Sequence, residues 1–327
     1  MCYAHLTRSQ RYQIEVLKQA DVPVDRIAHK LGVHRSTVYR ELNRGGRKRQ
    51  AYVAWYAQEA AEQRSCRSAA NHPTKPAALW RVVHSLIRLD WSPEQARGYL
   101  DRFEHPLVSV PAIYAHLRRQ RRGGGVLFGH LRFGRKYRPW GRHSHGAISP
   151  DRPSIHSRPA AAEQRLQPGH WEGDTLVGGY RATGRPRRML SLVERYSRYL
   201  RLRRPQNQWS LPIEVAKSTT NALRRFAVRS ITFDNGVEFA DYPVIAKALG
   251  CKIYFADPGH PEQRGTCENT IGLVRQYIPK GTSGSHLSAA QIRTIENKLN
   301  NRPRKCLGFK TPAEVFLGAK PPVALRT

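Results

Sequence analysis

Acidic residues are scarce in this sequence. Its 327 residues include 24 Asp and Glu against 56 Lys and Arg, which gives a formal net charge of +32 at pH 7. Such an excess of positive charge predicts a polyanionic partner, because neutralising phosphates and releasing their counterions drives binding. Nucleic acid is the favoured partner, with structural RNA-binding proteins and anionic membrane surfaces as alternatives. Since 39% of the residues are hydrophobic, the chain can bury cores and is not merely a basic tail.

Signals of several other protein classes are also missing. No apolar run approaches the ~18 residues that cross a bilayer, and the N-terminus lacks the pattern of a signal peptide. The five cysteines are scattered without a CxxC pair, and no HExxH motif occurs. These absences argue against a membrane protein, a disulfide framework, a structural zinc site and a zinc hydrolase. We therefore expect a protein of a reducing, cytoplasmic compartment.

The first fifty residues have the pattern of a helix-turn-helix. Thr7 can cap a first helix, Asp21-Val22-Pro23 breaks it, and a second helix ends at Gly32. The polar and basic third helix that follows is RSTVYRELNR. This arrangement is typical of domains that place a helix in the major groove of DNA, although an ordinary three-helix bundle with a charged surface is the alternative. The residues predicted to contact DNA here are Arg35, Ser36, Thr37 and Arg40.

A second, fainter pair of helices follows. Ser92 and Pro93 provide an N-cap and a first helical position for WSPEQARGYLDRF, and Ser109 can cap VPAIYAHLRR. The pair predicts another helix-turn-helix, with a plain helical spacer as the alternative. From residue 105 to 150 there is no Asp or Glu, which predicts a flexible basic connector able to follow a phosphate backbone. The arginines predicted to contact DNA in this region are Arg118, Arg119, Arg121 and Arg122.

The second half of the chain alternates between strand and helix patterns. HWEGDTLVG, RMLSLVERYS and YLRLRRP predict three successive antiparallel strands. They are followed by a helix over SLPIEVAKSTTNALRRFA, the strand ITFDNG, a short helix ending at Gly250 and the strand KIYFAD. A helix over about residues 263–277 and another over AAQIRTIENKLNN complete the pattern. Three strands, helix, strand, helix, strand, helix is the element order of a ribonuclease H-like α/β domain with a mixed sheet.

Three acidic residues on this scaffold are candidates for catalysis. Asp174 lies on the first strand, Asp234 ends the fourth, and Glu268 lies on the later helix with 33 residues between it and Asp234. Because the first and fourth strands can be neighbours, we expect the carboxylates to converge. Close carboxylates repel one another unless cations separate them, and hard oxygen ligands suit two Mg²⁺ ions, with Mn²⁺ as a substitute. Asp234 could instead only cap its turn, and Glu262 is a second candidate for the third acid.

These motifs together resemble those of the IS30 family of insertion-sequence transposases. The resemblance rests on LTRSQRYQIEVL, IAHKLGVHRSTVYREL and WSPEQ in the first half, and on HWEGDTLVG, FDNGVEFA, YFADP, RGTCENTIGLVRQYIPKGT and LNNRPRKCLGFKTPAEVF in the second. It implies a DDE catalytic core that binds terminal inverted repeats, cleaves the element ends to expose 3′-hydroxyls and joins them to target DNA. Glu262, Cys267 and Ile271 depart from the usual residues of the family at these positions.

The resemblance and the residue patterns together predict a multidomain protein. All-α helix-turn-helix units precede the α/β ribonuclease H-like, integrase-type catalytic domain. The predicted boundaries are 1–60 and 75–120 for the two helix-turn-helix domains, 121–165 for the linker, 166–280 for the catalytic domain and 281–327 for a helical tail. The expected partners are double-stranded DNA, as inverted repeats and as target, and further copies of the chain in a homodimer or larger complex. No membrane is expected, and the setting is the bacterial cytoplasm at the nucleoid.

Several other arginines and two other functions are part of the prediction. Arg264 and Arg275 are expected to contact DNA near the active site. Arg302, Arg304 and Lys305 fit either a solvated basic tail or a phosphate-binding patch. A helix-turn-helix regulator with a non-catalytic second domain is an alternative function, although it would not need three ordered carboxylates. A ribonuclease H-like nuclease without strand transfer is another.

Overall fold

The protein consists of two compact units, Met1–Lys75 and Pro76–Thr327, each with its own hydrophobic core. The computed structural model describes residues 5–45, 52–70, 75–132, 152–180, 186–206, 211–279 and 287–323. The middle of the predicted linker at 121–165, residues 133–151, therefore lies outside the described residues. Within the described ranges, no helix is both long enough and apolar enough to cross a bilayer.

In its described residues, 5–45, 52–70 and 75, the first unit has only helices as regular secondary structure, and it contains the predicted helix-turn-helix. Thr7 caps the first helix through a reciprocal pair of bonds with Gln10, and Gly32 ends the second helix in a left-handed conformation. The apolar side chains of the helices meet in a small core around Ile14, Ile27 and Val38. The four helices are α1 (Arg8–Gln19), α2 (Val24–Leu31), α3 (Arg35–Gly45) and α4 (Ala54–Ala70).

The fourth helix of this unit has no counterpart in the sequence prediction. A buried ion pair joins Arg11 on α1 to Glu41 on α3 at 2.6 Å. The same arginine also donates to the Gln58 side-chain oxygen on α4 at 2.8 Å. Glu15 on α1 accepts from the Ala54 main-chain N–H at the start of α4. These contacts tie α4 to the helix-turn-helix as one unit.

The second unit contains helices and one mixed sheet in the predicted order. Its helices are α5 (Ala77–Arg88), α6 (Pro93–Arg102), α7 (Val110–Arg122), α8 (Ala160–Glu163), α9 (Leu211–Leu223), α10 (Tyr242–Leu249), α11 (Gly265–Val274), α12 (Ala289–Asn300) and α13 (Pro312–Leu317). Its strands are β1 (His170–Tyr180), β2 (Pro186–Glu194), β3 (Leu200–Arg203), β4 (Ser230–Phe233) and β5 (Lys252–Phe255). The ribonuclease H-like order of three strands, helix, strand, helix, strand, helix is confirmed.

The sheet has five strands in the order β3-β2-β1-β4-β5. The first three pair antiparallel, as the predicted meander requires, and β4 and β5 add in parallel on the other side of β1. The expectation that the first and fourth strands are neighbours is confirmed. Parallel pairing of β1 and β4 places the C-terminal end of β4 beside the middle of the longer β1.

Helices cover both faces of this sheet. Because side chains alternate along a strand, neighbouring residues belong to different layers: Leu192 packs in the core shared with α9 and α10, and Val193 in the core shared with α11 and α12. On β1, Trp171 belongs to the first layer. Asp174 has the opposite parity, so it projects on the face that α11 covers.

The second predicted helix pair packs against the C-terminal part of the chain. Ser92 forms a capping box at α6 with Pro93 at the first position, and Ser109 caps α7, as the sequence predicts. The Gln95 side chain donates to the Pro303 carbonyl at 2.9 Å, and Arg102 forms an ion pair with Glu314 at 2.7 Å. Residues 76–120 thus lie in the same compact unit as the sheet.

Candidate active site

Asp174 and Asp234 lie side by side because β1 and β4 pair in parallel. The pairing register matches His170 with Ser230 and continues to Glu172 and Thr232. Extending that register by two residues brings Asp174 level with Asp234. The two strands thus bring the two predicted carboxylates to adjacent positions in the sheet.

The close approach of the two strands depends on Gly173. A Cβ atom at this position would lie 2.2 Å from the ring of Phe233, far inside van der Waals contact. Gly173 immediately precedes Asp174, and Phe233 immediately precedes Asp234. Because Gly173 has no side chain, β1 and β4 approach closely enough for the two acidic residues to lie next to each other.

Arg264 forms an ion pair with both acidic residues. Its guanidinium lies 3.0 Å from Asp174 Oδ2 and 3.6 Å from Asp234 Oδ2. The side chain is buried, and the two carboxylates raise the pKa of its guanidinium above its ordinary value, against the effect of burial. Arg264, predicted as a DNA contact, is in this structure the counter-charge of the acidic pair.

The pKa values of both acids are raised. Burial raises the pKa of Asp174, and Arg264 opposes that rise. Burial and the neighbouring Asp174 raise the pKa of Asp234 to about 6. Both causes, low solvation and a neighbouring like charge, are weakened when a cation binds between the carboxylates.

Glu238 is a further carboxylate at this site that the sequence did not predict. It is buried, accepts from the Thr175 hydroxyl at 2.6 Å and pairs with Arg188 at 2.6 Å. A Cβ atom on Gly236 would lie 2.6 Å from Glu238 Oε2 and 3.0 Å from Asp234 Oδ1, so the two carboxylates flank this glycine. Glu238 lies in the ITFDNGVEFA segment, four residues after Asp234, and this proximity in the sequence could have identified it.

Glu268 lies on the first turn of α11 and is half-buried. Burial raises the pKa of its carboxyl, and the charge of Arg264 opposes that rise. Arg264 thus acts electrostatically on all three predicted acids. In the described part of the chain, however, no hydrogen bond or ion pair connects Glu268 to Asp174 or Asp234.

The two other acidic residues near α11 have different roles. Glu172 is fully buried, pairs with Arg195 and accepts from the Cys267 main-chain N–H at 2.7 Å. It therefore anchors the start of α11 to β1, where a carboxylate also favours the helix dipole. Glu262 is 68% exposed and pairs with His260 at 2.7 Å.

The donor set of the acidic pair fits a hard divalent cation. Both residues offer carboxylate oxygens, and a guanidinium cation already lies between them. Among the residues that the structure describes, no group of three Asp, Glu, His or Cys side chains is arranged to hold a metal ion. The structure thus joins Asp174 and Asp234, while Glu268 stands apart from them on α11.

The predicted DNA contacts fall into three groups. Arg35 and Arg40 are exposed on α3, next to the half-buried Ser36 and Thr37. Arg275 is half-buried near Asp174, and burial lowers the pKa of its guanidinium while Asp174 opposes that effect. The exposed arginines near the end of α7 are Arg118, Arg119, Arg121 and Arg122.

The interpretation of Arg302 as part of a solvated tail is wrong. Its side chain is only 2% exposed and donates to the Gln276 side chain at 3.1 Å and to the Tyr277 hydroxyl at 2.7 Å. These acceptors, which follow α11 in the chain, could not be recognised from the sequence around Arg302. Lys305, in contrast, is exposed.

Known proteins are similar to this chain along nearly its whole length. A helix-turn-helix domain family matches residues 2–45, and an integrase core domain family matches residues 164–261. The transposase for insertion sequence element IS4351 of Bacteroides fragilis is 38% identical, over 95% of each chain. The transposase InsI for insertion sequence element IS30C of Escherichia coli K12 is 34% identical, over 96% of this chain and 83% of its own length.

One further relative and one solved structure are similar to this chain. The transposase for insertion sequence element IS1086 of Cupriavidus metallidurans is 36% identical, over 96% of this chain and 94% of its own. The catalytic core domain of BIV integrase is 20% identical, covering 46% of this chain and 94% of that chain with a TM-score of 0.34.

Proposed function

This chain belongs to the IS30 family of insertion-sequence transposases, and from that premise we propose how it moves its element. It is a transposase with a helix-turn-helix domain and an integrase-type catalytic core, and both domains imply that it binds DNA. We propose that it binds the terminal inverted repeats, cleaves at the element ends and joins the exposed 3′-hydroxyls to target DNA.

End recognition is assigned to the N-terminal helices. Arg35 and Arg40 are exposed on α3, and an arginine in such a helix can pair with guanine in the major groove. The arginines of α7 are exposed as well and would contact phosphates without reading sequence. The proposed domains are 1–60 and 75–120 for recognition, 121–165 for the linker, 166–280 for catalysis and 281–327 for the tail.

Asp174 and Asp234 are proposed to carry the chemistry, together with Glu268. The observation that supports this most is the acidic pair itself, held side by side on neighbouring parallel strands in an integrase-type core, with Asp174 within β1 and Asp234 directly after β4. An integrase core domain implies dependence on divalent metal ions in general. Two Mg²⁺ ions, with Mn²⁺ as a substitute, would supply the charge that activates the attacking oxygen and stabilises the leaving one.

The proposed reaction exchanges one phosphorus–oxygen bond for another in each step. In the first step, a water oxygen bonds to the phosphorus at the element end, and the 3′ oxygen leaves and takes a proton. In the second step, that 3′-hydroxyl loses its proton and bonds to a target phosphorus, and the target 3′ oxygen leaves and is protonated. No oxidant, reductant or external energy source is needed.

The protein's own residues prepare the site for these steps. The close approach of β1 and β4 at Gly173 keeps Asp174 and Asp234 side by side. Glu172 binds the start of α11, the helix that carries Glu268. We expect two or more copies to bring the two ends together, since each end presents one inverted repeat. Because its substrates are chromosomal and element DNA, the proposed setting is the bacterial nucleoid.

Substitution of single acids tests this assignment. Asp174→Asn, Asp234→Asn and Glu268→Gln should each abolish Mg²⁺-dependent cleavage and joining, because each removes a ligand charge with little change in volume. Binding of the element ends, measured by gel shift, should remain. Cleavage and joining are measured with labelled duplexes that carry the terminal repeats.

Glu262→Gln is the matched control for Glu268→Gln. Glu262 is exposed and pairs only with His260 among the described residues, so we expect a modest effect on cleavage. An inactive Glu262→Gln beside an active Glu268→Gln would reassign the third acid. Cutting without joining by the unaltered protein would favour a nuclease, and end binding without cutting would favour a regulator.

A further inference from the structure

A group of arginines gathers around α11, apart from the pair of acidic residues. The Arg198 guanidinium donates to the Thr266 hydroxyl on α11 at 3.1 Å. An Arg132 guanidinium nitrogen lies 3.0 Å from the position that a Cβ on Gly272 would take. Arg302 contacts Gln276 and Tyr277, just beyond the end of the helix. We refer to the following four residues as the arginine cluster: Arg132, Arg198, Arg302 and Arg304.

The partners of these side chains are mostly neutral. Arg198 also donates to the Arg195 carbonyl, and Arg304 donates to the Leu299 carbonyl at 3.1 Å. In the described part of the chain, Arg198, Arg302 and Arg304 form no salt bridge with a carboxylate. The direct acceptors of Arg198, Arg302 and Arg304 are thus neutral, and the Asp90 carboxylate, which accepts from the Tyr277 hydroxyl, offsets part of the charge of Arg302.

The pKa values of the arginine cluster show that this arrangement is electrostatically unfavourable. Burial and the neighbouring charges of Arg302, Arg198 and Arg132 together lower the pKa of Arg304 to about 9. Burial also lowers the pKa of Arg302. The Nε atoms of Arg302 and Arg304 are buried and have no acceptor among the described residues. An anion bound to the accessible guanidinium groups would supply the missing charge.

Solvent can reach the arginine cluster from one side. Arg132 is exposed and Arg198 and Arg304 are half-buried, whereas Arg302 is buried behind them. An anion could thus contact the outer guanidinium groups while the inner one supports them. A phosphodiester suits this arrangement, because guanidinium groups match its oxygens in a planar, forked geometry.

We infer that the arginine cluster binds a backbone phosphate of DNA, an inference that rests on the proposed function for its choice of ligand. Arg132 approaches α11 at Gly272, four residues from Glu268 and so about 40° around the helix, whereas Arg198 approaches it from the far side. Thr266, which contacts Arg198, is two residues from Glu268, or about 160° around the helix. The contact would anchor the helix that carries Glu268 onto the DNA without touching the reacting atoms.

Arg198→Asn is the most informative variant. Arg198 has a φ of 65°, a left-handed conformation that Asn adopts at lower cost than Arg. The substitution thus removes the guanidinium while keeping the backbone of the turn. For the full-length protein bound to random duplex DNA, we expect the slope of log affinity against log salt concentration to decrease by about 0.9, one phosphate contact.

Lys305→Ala is the matched control, and Arg304→Gln is the second variant. Lys305 adjoins Arg304 in the chain and is exposed, so its loss changes the net charge equally without altering the arginine cluster. Arg304→Gln should reproduce the smaller slope, and it keeps the inference testable if Arg198→Asn lowers the melting temperature. Equal slopes in Arg304→Gln, Lys305→Ala and the unaltered protein would overturn the inference.

Inorganic phosphate distinguishes a DNA contact from binding of a free anion. At constant ionic strength, phosphate should raise the melting temperature of the unaltered protein but not of Arg304→Gln. Stabilisation by phosphate with an unchanged salt slope would mean that only a free anion binds, and would overturn the assignment to DNA. End cleavage by the unaltered protein is scored separately: its absence contradicts the proposed function, whereas the salt slopes still decide about the arginine cluster.

Discussion

Asp234 uses its two carboxylate oxygens for different contacts. Oδ1 accepts from the Gly236 main-chain N–H at 3.1 Å and closes the turn after β4, whereas Oδ2 faces Arg264. A carboxylate has enough lone pairs for both contacts. The turn-forming role and membership of the acidic pair are thus compatible, and the turn fixes the direction in which the second oxygen points.

Arg264→Gln should make the protein depend on divalent cations for its stability. Without the guanidinium, two close carboxylates repel each other, so we expect the free energy of unfolding in chelator to fall by about 1–3 kcal/mol. This is less than for a fully buried pair because the Asp234 side chain is 36% exposed. Mg²⁺ should then stabilise the variant more than the unaltered protein, as measured by urea unfolding with and without Mg²⁺.

Arg293→Gln provides the comparison for that measurement. Arg293 is exposed on α12, and its replacement by Gln removes the same charge. The stability of this variant and its response to Mg²⁺ should therefore hardly differ from those of the unaltered protein. If Mg²⁺ stabilises Arg264→Gln and the unaltered protein equally, Arg264 does not occupy the place of a cation.

Asp90 connects helices from distant parts of the second unit. Its carboxylate pairs with His130 at 2.8 Å and with Lys298 on α12 at 2.8 Å, and accepts from the Tyr277 hydroxyl at 3.0 Å. Asp90 follows α5 and has a left-handed φ of 65°. The turn between α5 and α6 is therefore attached to the end of α11 and to α12.

Asp90→Asn should destabilise the protein without distorting this turn. Asn tolerates the left-handed conformation, so the main loss is the charge that the three partners contact. We expect the free energy of unfolding to fall by about 1.5–3 kcal/mol, the usual range for hydrogen bonds to a charged group. Urea unfolding measures this change, and Asp101→Asn on the exposed side of α6 should have almost no effect.

The contact between α5 and α7 should respond to pH. His84 and His116 share a hydrogen bond at 2.8 Å between their Nε2 atoms, and burial lowers the pKa of both below 6.5. The folded state therefore binds fewer protons than the unfolded state, so stability falls as the pH decreases through 6.5. The melting temperature should drop on acidification from about pH 7.5 to about pH 5.5.

His84→Gln isolates the histidine pair in this measurement. His170, whose pKa is also lowered by burial, remains in the variant. If the melting temperature of the variant drops less on acidification than that of the unaltered protein, the difference is due to the histidine pair. An identical drop in the variant would show that other groups cause the acid sensitivity.

At the scale of the whole molecule, the first proposed recognition domain and the proposed catalytic acids belong to separate compact units. The first unit, Met1–Lys75, has a core of its own and contains the helix-turn-helix match at 2–45. The acidic pair and Glu268 belong to the second unit, Pro76–Thr327. A fragment of the first unit thus retains the first proposed recognition helix but none of the proposed catalytic acids.

A fragment of residues 1–75 should bind terminal DNA in preference to random DNA and should not cut it. We expect a lower affinity than for the full chain, because the basic residues of the second unit are missing and each lost phosphate contact weakens binding. Gel shifts with terminal and random duplexes measure the preference. Equal binding to both duplexes would place recognition in another part of the chain.

The sequence by itself determined the features that depend on local patterns. Alternation of apolar residues defined the strands, Thr7, Ser92 and Ser109 defined helix starts, and the spacing of the second half defined the element order. The expectation that β1 and β4 are neighbours was also correct. Such features follow from side-chain period, capping and turn chemistry within a few residues, so no distant contact is needed to recognise them.

Only the tertiary structure decided which charges meet. Arg264 lies between Asp174 and Asp234, Glu238 joins the same site, and Arg302 is buried against Tyr277. In the sequence these arginines resemble any other in a chain with 56 Lys and Arg residues. Their partners depend on strand register and helix packing between segments far apart in the chain, because a buried charge is tolerated only where packing supplies a partner.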